Sequence, residues 1–401
     1  MPILLPEHIF TNGNFFLPEG DALFTTSGLV PLRAFETIDI ADFAYSIDYY
    51  LKKHNKNMIY LSDIMESFDP RFMYMVHCVA SKLINDYGIE YKNIKFLSGA
   101  LPIIENYHLY NRHTRYNNWM TLDCTLVNHF EVRMQKFITS LDFREHNINI
   151  INRKRRINRP KIFTFLNGGA RIHRLYLFAH IVTNNLLDKG YVSMHTSMEA
   201  IKYVRNRLKL EQKILPDLDD LLDKIQLSNI SLPLLQTIQP NDNASQHIIS
   251  NEDLHLFDTS YFSIIGETLF FKKMMLGDSY LYHSHLDGTF ITEKTYRAIA
   301  CQHPFIMVSR PNTLKHLRRF GYKTFSPYID ETYDDIEDDR ERLVKIAELV
   351  KDLCNKPPSF WRDFVQEIRH ITKHNFDVLM NAKPTYFTQK DFIRLKAKSG
   401  L

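Results

Sequence analysis

The chain has 401 residues, 44% of them hydrophobic and 24% charged, with a formal charge of +4 and a pI near 8.6. That composition excludes a disordered, collagenous or disulfide-scaffold chain and leaves room for two domains with cores of their own. The mild positive charge suits an anionic ligand without demanding nucleic acid.

Residues 1 to about 40 carry scattered aromatics, Pro and Gly without periodicity, which predicts irregular structure or an edge strand. Residues 58–61 read as a strand. Residues 70–86 repeat Phe72, Met75, Val76, Val79 and Leu83 on one helical face, and residues 94–97 are again strand-like. Strand, helix, strand at these lengths predicts a parallel βαβ unit. A further strand over 122–127 and a helix after it are expected. The sharpest change of composition comes at residues 152–161, Asn-Arg-Lys-Arg-Arg-Ile-Asn-Arg-Pro-Lys. A domain boundary is expected there, giving an N-terminal domain over 1–155, a C-terminal domain over 156–358, and a closing helix with a polar tail over 359–401. The basic stretch is either a solvated linker or a patch in which Arg153, Arg155 and Arg156 meet a polyanion. It has no interleaved aromatics, which weighs against single-stranded nucleic acid.

After Pro160, residues 162–166 predict a strand, Asn167-Gly-Gly-Ala170 a tight turn, and a helix follows from about Arg171 with Leu175, Phe178, Ala179, Val182 and Leu186 on its buried face. Arg171, His173 and Arg174 stand at the opening of this helix beside two glycines, a combination that lets backbone and cations approach a phosphate. No long element is expected over 205–255. Asp217, Asp219 and Asp220 sit in a Leu-periodic setting and read as a solvated helix face rather than a metal motif. Residues 261–267 form a buried strand ending in the carboxylate of Glu267. His283, His285 and Asp287 read as loop residues rather than metal ligands.

Residues 290–308, Phe-Ile-Thr-Glu-Lys-Thr-Tyr-Arg-Ala-Ile-Ala-Cys-Gln-His-Pro-Phe-Ile-Met-Val, organise the C-terminal half. Thr292 suits an N-cap and Glu293 the first turn, Tyr296, Ile299 and Ala300 fall at helical spacing, and 305–308 is a short apolar strand of the kind buried on both faces. Beyond it come a helix over 312–320 closed by Gly321, a short strand at 323–325, an acidic run from 330 to 341 opening the next helix, and one long closing helix over 359–380.

The four cysteines, Cys78, Cys124, Cys301 and Cys354, show neither close pairing nor metal-type spacing, which predicts reduced thiols and a cytoplasmic protein, in a host cytoplasm if the chain is viral. No stretch approaches about 18 uninterrupted apolar residues, and the N-terminus lacks a basic n-region, so neither a membrane span nor a signal peptide is expected. The absence of GxGxxG and GxxxxGK[ST] weighs against a dinucleotide oxidoreductase or an ATPase.

Phe-Ser-Ile-Ile-Gly-Glu267 followed at a distance by Phe290-Ile-Thr-Glu-Lys-Thr, together with the Asn167 turn and its arginines, resembles the donor-binding region of fucosyltransferase-like glycosyltransferases and of glycosyltransferase-like proteins of large DNA viruses and bacteriophages. The resemblance covers roughly residues 160–330. It implies a GT-B fold, in which two Rossmann-like α/β domains face a central cleft, with inverting chemistry and no obligatory metal or cofactor. The co-substrate would be a UDP- or GDP-sugar. The donor-binding set would be Asn167, Arg171, Arg174, Glu267, Thr292, Glu293 and Lys294, with Glu293 on the ribose or sugar and Lys294 and Arg174 on the diphosphate. An inverting transfer also needs a carboxylate base. Asp63, just after the strand at 58–61, is the candidate, and Asp69, Glu105 and Asp123 compete with it. The acceptor would be a glycan or a hydroxymethylated pyrimidine in DNA. A different class remains open: a non-catalytic α/β protein that binds nucleic acid through segment 153–161.

Overall fold

The computed structural model describes residues 22–25, 39–55, 59–63, 70–99, 123–127, 158–168, 171–194, 251–271, 275–276, 279–280, 289–326, 328–382 and 386–387, and parts of 130–138 and 217–224. The chain divides into two compact units, one of residues 1–129, 275–290 and 383–401, the other of 130–274 and 291–382. Each is built on a parallel sheet, so the chain is α/β.

In the first unit β1 (Ala22–Thr25), β2 (Ile59–Asp63), β3 (Ile94–Ser98) and β4 (Asp123–Val127) lie side by side in chain order, all parallel. Helices α1 (Ile40–His54) and α2 (Pro70–Tyr87) connect the first three strands. Right-handed crossovers that all step in one direction deliver their helices to one face, and α1 and α2 do pack on each other. Ile59, Leu61, Ile94 and Phe96 from the strands and Ala44, Ile47, Val79 and Leu83 from the helices are buried. Helix α1 begins where the Asp39 carboxylate accepts from the N–H of Ala41 at 2.7 Å and ends at Asn55 in the left-handed region, φ 51°. The βαβ unit expected here is present, and Tyr386–Phe387 adds an antiparallel pair beside β4.

The second unit carries β5 (Lys161–Asn167), α3 (Ile172–Thr183), β6 (Gly190–Met194), α4 (Asn251–Asp258), β7 (Ser260–Gly266), α5 (Glu293–Ala300) and β8 (Phe305–Val308). Its four strands are parallel in the order β8-β7-β5-β6. From β5 the chain steps outward through α3 to β6, and from β7 it steps the other way through α5 to β8. Right-handed connections in opposite directions put α3 and α5 on opposite faces of the sheet, and the winding reverses between β5 and β7. Every residue of β7 and of β8 is buried. Helix α3 is buried at all positions from Ile172 to Ala179, because the sheet covers one side and α7 (Asp339–Cys354) the other. Gly190 lies flat against the ring of Phe163, where a Cβ would come within 2.4 Å of a ring carbon.

Three local differences from expectation have physical causes. Helix α4 forms where no long element was expected; Leu254, Leu256 and Phe257 give it a buried side. Residues 323–325 are not a strand. The side chain of Asn375 takes both backbone groups of Lys323, accepting from its N–H at 2.7 Å and donating to its carbonyl at 2.8 Å, as a neighbouring strand would. The closing helix is two helices, α8 (Pro358–Glu367) and α9 (Arg369–Met380), because Ile368 has ψ −8° and breaks the regular α geometry. The helix expected over 312–320 is α6 (Thr313–Arg319), whose Asn312 start is capped from outside by Asp334.

The acidic run acts structurally, as expected. Asp338 accepts from the N–H of Glu341 at 2.8 Å to cap α7, and Asp334 accepts from the N–H of Leu314 at 3.0 Å. Among the described residues no group of three or more His, Cys, Asp or Glu is placed to hold a metal ion, and no helix is long and apolar enough to cross a membrane. Cys301 and Cys354 are buried free thiols. Arg153, Arg155, Arg156, His283, His285 and Asp287 lie outside the described residues.

Candidate functional site

In an open parallel sheet the ligand crevice lies at the carboxyl ends of the strands, where the winding reverses. Here those ends are Asn167 of β5 and Gly266-Glu267 of β7. The register pairs Phe163 with Phe262 and Thr164 with Ser263, so alternation puts Asn167 and Gly266 on the α3 face and Glu267 on the α5 face.

Glu267 is 0% exposed, and three donors from the start of α5 converge on its carboxylate. Oε1 accepts from the N–H of Thr292 at 3.1 Å and from Thr295 Oγ1 at 2.6 Å, and Oε2 accepts from Thr292 Oγ1 at 2.6 Å. Its backbone carbonyl accepts from the start of α3, from His173 Nε2 at 2.9 Å and from Arg174 Nη2 at 3.1 Å. One residue therefore ties together the N-termini of helices on opposite faces of the sheet.

Thr292 is the N-cap of α5, as its position predicts. Its Oγ1 donates to Glu267 and accepts from the backbone N–H of Lys294 at 3.4 Å and from Lys294 Nζ at 3.0 Å. Lys294 Nζ also meets Glu293 Oε1 at 2.9 Å, and its side chain is 27% exposed. Burial pushes the Glu293 carboxyl upward, but the charge and hydrogen bond of Lys294, with Arg297 behind, outweigh it and hold the group below its ordinary range. Lys294 thus stands at a helix N-terminus, partly open to solvent, with its ammonium aimed by two oxygens.

Arg174 is 5% exposed. Burial and the neighbouring charge of Arg171 pull its guanidinium down to about 10, while Glu267 and Glu293 act in the opposite sense. It crosses the end of β7 close over Gly266, where a Cβ would stand 3.0 Å from Arg174 Cγ and 3.2 Å from Asn167 Oδ1 and would press both side chains back. Asn167 is 3% exposed; its Nδ2 reaches the carbonyl of Phe165 at 3.5 Å, while Oδ1, buried, has no hydrogen-bond partner among the described residues. Arg171 occupies the N-cap position of α3 with no side-chain cap, and it is exposed. No acid stands in the first turn of α3, so its N-terminal amides are free of an internal counter-charge. A pocket of about 40 Å³ adjoins this edge on the α5 face, lined by Leu166, Ile265, Gly266, Lys294, Arg297 and Ala298 among others.

The structure thus brings Asn167, Arg174, Glu267, Thr292, Glu293 and Lys294 to one strand edge, with Arg171 at the helix start beside them. Asp63 ends β2 at the carboxyl edge of the first unit's sheet, and its side chain lies outside the described residues. Sequence reasoning missed Thr295 and Gly266. Thr295 stands one helical turn from Thr292, the spacing that shares a face, and this was the available signal. It also missed Arg342, which is 1% exposed and donates to the carbonyls of Phe270 at 2.8 Å, Ser309 at 3.1 Å and Ile336 at 2.9 Å. Nothing local in the sequence marks that role.

No family model matches the chain, and no curated protein matches it. Among solved structures it is similar to an alpha,alpha-trehalose-phosphate synthase (UDP-forming) from Burkholderia vietnamiensis, with a TM-score of 0.37 and 10% sequence identity, over 90% of this chain and 75% of that one. A likeness of that size does not bear on function.

Proposed function

We propose that the chain is an inverting, metal-independent glycosyltransferase whose second unit binds a nucleoside-diphosphate sugar, UDP- or GDP-linked, at the carboxyl edge between β5 and β7. The observation that carries this reading is that Arg174 and Lys294, from helices on opposite faces, are both tied to Glu267, directly and through Thr292, at the strand end where the winding reverses. Two helix N-termini and two cations around one crevice suit a diphosphate.

In such a transfer the sugar–phosphate bond breaks as the acceptor oxygen attacks the anomeric carbon, and negative charge gathers on the β-phosphate. Arg174, Arg171 and Lys294 would neutralise that charge as it develops, with the N–H groups at the starts of α3 and α5. Glu293 would accept from a hydroxyl of the ribose or sugar, releasing Lys294 toward the phosphates. The acceptor proton would pass to a carboxylate of the first unit, for which Asp63 is the candidate by its place at a strand's carboxyl end. The acceptor would be a glycan or a hydroxymethylated pyrimidine in DNA, with Arg153, Arg155 and Arg156 lying toward the polyanion in the second case.

The test is a panel of UDP- and GDP-sugars read by thermal shift. A true donor at 100 times its Kd stabilises the fold by about 2.7 kcal/mol. Lys294→Ala and Arg171→Ala, both at partly open positions, should abolish most of that shift while leaving the melting temperature of the free protein near that of the wild type. A wild type that no sugar nucleotide stabilises, or variants that keep the full shift, would overturn the proposal.

A further inference from the structure

The carboxylate of Glu267 lies too deep to reach a ligand, yet it is the acceptor on which the start of α5 is assembled. We infer that Glu267 is a positioning residue: through Thr292 it aims the ammonium of Lys294, and through its carbonyl it holds Arg174, so that one buried residue sets the spacing of both cations. This rests on the reading of the strand edge as the diphosphate site, and it replaces direct contact of Glu267 with the donor by action through Lys294.

The hydrogen-bond count forces the link. Thr292 Oγ1 has one proton and two lone pairs. The proton goes to Glu267 Oε2 at 2.6 Å, and the lone pairs take the backbone N–H of Lys294 at 3.4 Å and its Nζ at 3.0 Å. The hydroxyl can face Lys294 as an acceptor because Glu267 takes its proton. The other carboxylate oxygen accepts from Thr292 N–H and Thr295 Oγ1, so both oxygens are engaged.

Glu267→Gln, equal in shape, cannot reproduce this. If its amide nitrogen faces Thr292 Oγ1, three donors compete for two lone pairs and Lys294 Nζ, the most exposed, is displaced. If the amide turns over, its nitrogen faces the N–H of Thr292, donor against donor. Thr292→Val removes the same link from the other side, and Thr292→Ser keeps it.

The experiment measures the acetylation rate of Lys294 in the free full-length protein by peptide mass spectrometry, with Lys345 and Lys373 as internal references. Those two lysines sit in ion pairs of their own with Asp330 and Asp377, on helices α7 and α9. Loss of one hydrogen bond at this partly open position predicts a rise of about fivefold at Lys294 in Glu267→Gln and in Thr292→Val, with no change at the references. The double variant should match the singles, and Thr292→Ser should match the wild type. In parallel, affinity for whichever UDP- or GDP-sugar stabilises the wild type should fall about tenfold in Glu267→Gln. General loosening of the fold would raise all three lysines together, and that result, or an unchanged Lys294, overturns the positioning role. If one of the substituted proteins fails to fold, the other carries the same test. A wild type that binds no sugar nucleotide would refute the proposed function, while the labelling still decides the role of Glu267.

Discussion

His173 shows how much a single residue's chemistry depends on what the fold puts around it. In the sequence it is one of three basic residues at a helix start and reads as part of a phosphate patch. In the structure it is buried, stacks on Phe270 at 5.2 Å, and donates from Nε2 to the Glu267 carbonyl. Burial first, then the charges of Arg174, Arg171 and Arg342, push its pKa well below 6.5, while the carbonyl acts in the opposite sense. The folded form is therefore the neutral imidazole. Its contribution to stability is complete above about pH 6.5; as pH falls through that value, the unfolded chain takes up a proton that the folded chain refuses, and stability is lost. The loss is at most about 1.4 kcal/mol per pH unit. Glutamine at this position keeps a donor for the carbonyl but does not titrate. Urea unfolding at pH 7.5, 6.5 and 5.5 should show His173→Gln less stable than the wild type at pH 7.5, with the gap closing toward pH 5.5. A gap that stays constant would mean that His173 does not titrate differently in the two states.

Elements were legible where periodicity was strong. The strands at β2, β3, β5, β7 and β8 and the helices α2, α3, α5 and α6 stand within a few residues of where their patterns put them, because a buried face leaves a period of 2 or 3.6. The N-cap at Thr292 was legible too, since capping is local. What could not be read is how element ends are joined. Periodicity places Glu267 on one face of β7 but says nothing of the threonines that meet it, and Lys323 finds its strand-like partner in a side chain 52 residues away. Arg342 is the largest such joint. It links the segment after β7, the end of β8 and the turn before α7 through three carbonyls, pairs with Asp339 at 2.6 Å, and lies 4.4 Å from the centroid of the Phe270 ring. A lysine carries the charge but has no planar fork to span three carbonyls. Arg342→Lys should cost about 3 kcal/mol, since it strands buried carbonyls as well as losing bonds. Denaturant midpoints would check this, and a cost below about 1 kcal/mol would mean that water replaces the fork.

At the scale of the whole molecule, neither unit is a continuous stretch of chain. Residues 275–290 and 383–401 belong with the first unit, and residues 130–274 and 291–382 with the second. The described residues between Phe130 and Ile138 fall in the second unit through contacts with residues far along the chain, which leave no local trace in the sequence. Phe130, Met134 and Ile138 are buried, Tyr322 donates to the buried carboxylate of Glu131, and Gln135 donates to the carbonyl of Met380 at 3.0 Å. The Tyr322 hydroxyl is pushed far above its ordinary range, by burial first and then by Tyr296 and Glu131, so it stays protonated and remains a donor. Burying three large apolar side chains contributes roughly 5 kcal/mol or more. Two fragments that differ only at their start, 130–382 and 156–382, put the boundary to a direct test. The longer one should melt cooperatively, and the shorter one should lose most of its stability, as read by circular dichroism and by resistance to limited proteolysis. Equal melting of the two would put the working boundary at the basic stretch, and residues 130–138 would then be a surface strap that the second unit can fold without.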